Sequence, residues 1–176
     1  LDVIIVDHHI AEANLPNAVA IINPNRLDEE SCHTQLAAVG VSFLLIVAIN
    51  RALRENGFFA KTSSITEPNL MNLLDIVALG TVADMVPLTG VNRALVVQGL
   101  KVMAKRQNKG LSALADVAGM DEIPSTYHLG FLMGPRVNAG GRVGESYLGA
   151  KLLSTFNSQE ANDIAQKLNA YNEERR

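Results

Sequence analysis

The sequence predicts an α/β fold: a parallel sheet flanked by helices, with a helix-rich C-terminal half. Two short β-branched runs, residues 1–6 and 18–22, are apolar on both faces, as strands of a covered parallel sheet are. From residue 36 onward the apolar positions recur at helical spacing, and Gly, Pro and Asn signals divide the rest of the chain into successive helical segments.

Leu1-Asp2-Val3-Ile4-Ile5-Val6 reads as an inner strand. Residues 18–22 make a second, parallel strand, stopped at Asn23-Pro24 because proline restricts the residue before it and brings no ladder donor. Leu36, Val39, Phe43, Leu44 and Val47 then define an amphipathic helix over the sheet, with Arg51, Arg54 and Glu55 gathered before Asn56-Gly57. A polar loop over 61–66 leads to Pro68, suited to the first turn of a helix over about 69–79 that is almost wholly apolar and therefore buried. Thr89-Gly90-Val91-Asn92 reads as a cap, Leu95, Val96, Leu100 and Met103 as the helix it opens, and Asn108-Lys109-Gly110 as its end. Shorter helices are expected over 111–118 and 125–133. Residues 134–142, Gly-Pro-Arg-Val-Asn-Ala-Gly-Gly-Arg, read as a loop. A helix over 147–155 follows. The last helix has Asn157 and Glu160 at capping-box spacing and Ala161, Ile164, Ala165 and Leu168 on one face.

With 176 residues, 48% of them hydrophobic and 19% charged, the chain has the composition of a folded domain rather than a disordered segment. The formal net charge of -3 gives no global attraction for nucleic acid, so any such surface has to be a local patch. Cys32 is the only cysteine, which excludes an internal disulfide and a thiolate metal cluster, and a reducing cytoplasm is the expected location. No apolar run is long enough for a membrane span. A first residue other than Met inside a strand, and a helical pattern persisting to Arg175-Arg176, lead to the expectation of a piece of a longer protein.

The chemistry concentrates where the first strand ends. Asp7, His8 and His9 follow Val6 directly, and open α/β sheets bind ligands at the carboxyl ends of their strands. Imidazole and carboxylate together suit divalent transition metals. Asp75 lies in Leu73-Leu74-Asp75-Ile76-Val77-Ala78-Leu79, where helical spacing offers no polar face, so its carboxylate needs a cation, a proton or hydrogen-bond donors. Asp84 ends a second apolar stretch before Pro87; it is either a further ligand or a turn residue, and the turn role is favoured. Arg136, Asn138 and Arg142 in the glycine-rich stretch suit phosphate, through guanidinium forks and exposed backbone N–H groups. Lys101, Lys105, Arg106 and Lys109 gather at a helix C-terminus, which the helix dipole explains without a nucleic acid.

Taken together, Val6-Asp7-His8-His9, the stretch from Leu74 through Asp84 to Leu88, Asn92-Arg93 and the 134–142 stretch resemble the DHH phosphoesterases, and within them the RecJ group of single-stranded-DNA exonucleases. The resemblance implies 5′-to-3′ hydrolysis of single-stranded DNA with two Mn²⁺ or Mg²⁺ ions. It implies His8 and Asp75 as metal ligands, Asp7 as the residue that orients the site, and His9 at the scissile phosphate or leaving group. Arg136, Asn138 and Arg142 would hold DNA phosphate. The family's first two motifs, with further aspartate ligands, have no counterpart here. Residues 1–156 are thus expected to be a partial catalytic domain, inactive alone, and 157–176 the start of a helix toward a further domain. Other expectations of the same resemblance are a phosphodiesterase for short oligonucleotides, cyclic dinucleotides or pyrophosphate, and a non-catalytic replication or repair scaffold.

Overall fold

Ile4–Val6 (β1) and Ala20–Ile22 (β2) pair in parallel, with Ile4 opposite Ala20, Ile5 opposite Ile21 and Val6 opposite Ile22. The computed structural model describes residues 1–61, 64–143 and 145–175. Pairing extends past both strand ends: Val19 N–H donates to the Val3 carbonyl at 2.8 Å and Asp7 N–H to the Ile22 carbonyl at 3.1 Å. Residues 7–19 supply the long crossover that a parallel pair requires. Among the described residues β1 has one strand neighbour and packs on α1, Ala38–Glu55; Ile4 is exposed and Ile5 and Val6 are half-buried instead of fully covered.

The covering helix is α1, Ala38–Glu55, which turns Val41 and Phe43 inward and ends at Gly57 with φ +67, as its Asn-Gly signal predicts. A short helix α2, Phe58–Lys61, follows; of the expected 61–66 loop, Thr62 and Ser63 lie outside the described residues. The apolar helix expected over 69–79 is a 3₁₀ turn, Leu70–Leu73, running into α3, Leu74–Ala83. Asn69 caps the turn by accepting from Met71 N–H at 3.1 Å.

α4, Gly90–Met103, lies across α3, and Gly99 makes that approach possible: a Cβ there would stand 2.1 Å from the Leu74 carbonyl oxygen. Thr89 makes no side-chain cap to α4. The anchor is Asn92, whose Nδ2 donates to the Gln35 carbonyl at 2.6 Å and the Pro87 carbonyl at 3.0 Å. α5, Lys109–Val117, is capped by Asn108, which accepts from Leu111 N–H at 2.9 Å.

Residues His128–Met133 form a π-helical turn that continues directly into α6, Gly134–Val143. This corrects the loop expected over 134–142. Pro135 lies inside this continuous helical run, directly after the π-helical turn, and brings no N–H to it. The glycines serve packing: a Cβ on Gly134 would meet Ala83 Cβ at 3.1 Å, and one on Gly140 would meet Leu168 Cδ2 at 2.9 Å.

α7, Leu148–Ser154, and α8, Ser158–Glu174, complete the fold. Asn157 accepts from the Gln159 and Glu160 N–H groups, but the Glu160 carboxylate turns to Lys151 and the Thr155 hydroxyl, so the capping box closes on one side only. Ala161, Ile164, Ala165 and Leu168 of α8 join the core formed with α3, α4, α5, the π-helical turn and α7. The 156/157 boundary is therefore not marked by a break in packing. Phe43, Leu74 and Val77 form a smaller cluster that fastens α1 to the helical body. Among the described residues no helix is long and apolar enough to cross a membrane.

Candidate metal centre

Once β1 and β2 are in register, the residues just beyond them must also lie side by side. That places Asn23-Pro24-Asn25 beside Asp7-His8-His9. Asn23, 5% exposed, donates from Nδ2 to the His9 carbonyl at 2.9 Å and accepts the Asn25 N–H at 2.8 Å. Asn25 donates from Nδ2 to the His8 carbonyl at 2.7 Å and the Thr34 carbonyl at 2.9 Å. These two asparagines hold the loop after β1. In the sequence Asn23-Pro24 signals only a strand stop; the signal for the clamp is the parallel register, which sets the two strand exits next to each other.

Within the loop, Asp7 is the organiser. Its Oδ1 accepts the His8 N–H at 2.8 Å and the His9 N–H at 3.3 Å, and stands 2.7 Å from His9 Nδ1. The His9 ring, aided by the two backbone N–H groups, holds the Asp7 carboxyl below the usual carboxylate range against the opposing effect of burial. With Nδ1 engaged, His9 presents its outer nitrogen to solvent; its side chain is 77% exposed. His8 turns the other way, to 16% exposure, and its Nε2 lies 3.3 Å from Asp84 Oδ2.

Asp84 reaches that point because α3 ends there. It is the C-cap, and Met85 beyond it adopts φ 61, the left-handed conformation that terminates a helix but is unusual for a residue with a Cβ. Asp84 also lines a cleft of about 310 Å³ with Gly80, Gly134, Val137 and Asn138, so the structure brings Asn138 to the same region.

Asp75 does not join them. It sits in the first turn of α3, nine residues before Asp84: about 13 Å along the axis and half a turn out of phase. Its carboxylate, 2% exposed, accepts Ile76 N–H at 2.7 Å and borders a separate cavity of about 370 Å³ with Met103, Arg106, Asn108 and Ser112. Arg106 in that cavity donates to Asp116 and to the Ser112 carbonyl. Burial pushes the Asp75 carboxyl above its usual range. The structure thus brings His8 to Asp84, while Asp75 borders the other cavity.

Arg136 lies on α6, where Nε donates to Asn169 Oδ1 of α8 at 2.8 Å and a terminal nitrogen to the Leu132 carbonyl at 2.7 Å. Arg142 is exposed in the last turn of α6. No phosphate-cradling loop joins Arg136, Asn138 and Arg142, because their backbone is helical.

The donor types at His8 and Asp84, an imidazole nitrogen and a carboxylate oxygen, fit Mn²⁺ and tolerate Mg²⁺. Among the described residues no group of three or more His, Cys, Asp or Glu side chains is arranged to hold a metal ion. His8 and Asp84 are the two residues that would hold such an ion.

A parallel strand ending in Asp-His-His, with an aspartate brought to it from a helix end, defines the class. The description "DHH family, N-terminal domain" matches residues 1–81, and the chain belongs to the DHH family. Within it, the chain is 44% identical over 178 residues to the "Single-stranded-DNA-specific exonuclease RecJ" of Salmonella typhimurium, covering 100% of this chain and 31% of that protein. A crystal structure of exonuclease RecJ bound to manganese superposes with a TM-score of 0.81 at 30% identity, over 99% of this chain and 41% of that one. RecJ of Thermus thermophilus in complex with Mg²⁺ superposes with a TM-score of 0.75 at 30% identity, over 98% of this chain and 24% of that one. The chain spans between 20% and 31% of the length of the curated relatives it matches.

Proposed function

We propose that this chain supplies part of the active site of a metal-dependent exonuclease that hydrolyses phosphodiester bonds of single-stranded DNA in the 5′-to-3′ direction. The observation that carries the reading is the 3.3 Å approach of His8 Nε2 to Asp84 Oδ2, between the end of β1 and the end of α3. RecJ relatives across the full chain, and neighbours that hold Mn²⁺ or Mg²⁺, support it.

His8 and Asp84 would hold a divalent ion. Bound there, such an ion supplies Lewis-acid stabilisation of phosphate charge and a water of lowered pKa. Asp7 fixes the loop and the His9 ring, so that the outer His9 nitrogen faces the space where a phosphate oxygen or leaving group would arrive. Asn138 borders that cleft and would contact the strand. Arg142 would meet phosphate further out, and Arg136 would act mainly by fixing α6 against α8.

The test uses the full-length protein with Mn²⁺, assaying nucleotide release from long single-stranded DNA and from dinucleotides. His8→Ala and Asp84→Ala should each abolish release, whereas Asp75→Asn should retain a substantial rate. Near-normal turnover by Asp84→Ala would overturn the assignment, and a preference for dinucleotides would replace the exonuclease with a small-substrate phosphodiesterase.

A further inference from the structure

Beside the Asp84 cleft, on the other side of the last turn of α3, runs a groove of about 470 Å³ lined by Ala83, Met85, Leu88, Tyr127, Gly130 and Phe131. Its large side chains are turned outward: Met85 is 90% exposed, Phe131 66% and Tyr127 59%. Two aromatic rings among only eight Phe and Tyr in the chain are thus left in solvent at one spot. Their ring centroids are 5.2 Å apart with planes 27° from parallel.

The backbone holds this arrangement in two unusual ways. Phe131 is carried by the π-helical turn, a geometry that recurs at functional sites, and Met85 is held at φ 61. The groove is also continuous with the reaction site: Ala83 borders both it and the Asp84 cleft, and Met85 is the residue after Asp84. A strand with one phosphate at His8 and Asp84 would bring a neighbouring nucleotide to this surface. Flat, near-parallel aromatic faces with a flexible thioether beside them suit a planar π-system, whatever its hydrogen-bonding edge.

We propose that Tyr127, Phe131 and Met85 form a nucleobase-stacking subsite, which seats an unpaired base next to the nucleotide being cleaved and does so without regard to sequence. This inference rests on the single-stranded-DNA reading above. It assigns a binding role to an apolar surface whose other available occupant is a protein segment packed on it.

Equilibrium binding by full-length protein with Ca²⁺ in place of Mn²⁺, which fills the ion site while suppressing turnover, separates these occupants. The probes are single-stranded oligonucleotides, intact or with one abasic tetrahydrofuran residue placed in turn at each of the first several positions from either end. In the wild type, one abasic position near an end should weaken binding by about tenfold. Phe131→Leu and Tyr127→Leu, which keep the patch apolar but remove the rings, should bind intact DNA more weakly by a similar factor and become indifferent to that abasic position. A wild type insensitive to every abasic position, or leucine variants that keep the discrimination, would overturn the subsite. A leucine variant with a lowered melting temperature and unchanged discrimination would assign the patch to a packed protein segment and overturn it equally. Failure of the wild type to bind single-stranded DNA at all would remove the underlying functional reading, a different outcome from binding that ignores the base.

Discussion

Asp75 and Asp84 show how much a residue's surroundings decide its chemistry. Both are aspartates on an apolar helix, and from the sequence Asp75 is the one that needs a cation, a proton or hydrogen-bond donors. In the fold it is buried and accepts the Ile76 N–H, and burial pushes its carboxyl above the usual range. Its folded pKa lies above the ordinary 3.8, so folding is favoured fully while the group is protonated in both states, and that advantage falls away as pH rises from 3.8 through the raised value. Asp75→Asn keeps the oxygen acceptor and removes the penalty. The melting temperature of the variant minus that of the wild type should therefore be larger at pH 7 than at pH 4; an equal difference at both would contradict a protonation cost. The asparagine clamp is open to a similar test. Asn25→Ala loses two carbonyl contacts, at a cost of about 1–3 kcal/mol in thermal or denaturant unfolding, and should weaken Mn²⁺ binding by about 10- to 100-fold, read by calorimetry on full-length protein. His8 and His9 are legible in the sequence because they stand at a strand exit. Asp84 is not, because a Pro at position 87 makes a turn role sufficient, and no sequence spacing reveals that a helix C-cap meets a strand end.

At the level of elements, the strands, the amphipathic α1 and the Asn157 cap of α8 follow from local rules, and they appear close to where periodicity and capping residues predict them, whereas Asn108, expected to end α4, instead caps the start of α5. α6 does not, because its glycines and proline have the composition of a loop and the packing needs of a helix. Gly134 and Gly140 let Ala83 and Leu168 approach, a tertiary demand invisible in a local window. Two substitutions probe this. Gly99→Ala would drive a Cβ to 2.1 Å from the Leu74 carbonyl and should cost about 1–3 kcal/mol or more, seen as a lower denaturation midpoint. Met85→Gly should raise stability by about 1 kcal/mol through relief of its left-handed conformation; a lower midpoint would show that the exposed side chain contributes more than the strain it carries.

On the scale of the whole molecule, the centre is divided. His8 belongs to a two-stranded sheet anchored through α1, and Asp84 belongs to the helical body. Small parallel pairs are marginal by themselves, so β1 and β2 should open more readily than α4 or α5. With no group of three or more metal-type side chains arranged together among the described residues, the 176-residue chain alone should show no metal-dependent degradation of single-stranded DNA in a nucleotide-release assay. The seam has a further consequence. A divalent ion gripped from both sides would act as a rivet, so loading with Mn²⁺ should slow deuterium uptake at the amides of residues 4–8 and 20–25 while leaving the middle of α4 unchanged, and substrate turnover would then draw on a joint that exists only while the ion is in place.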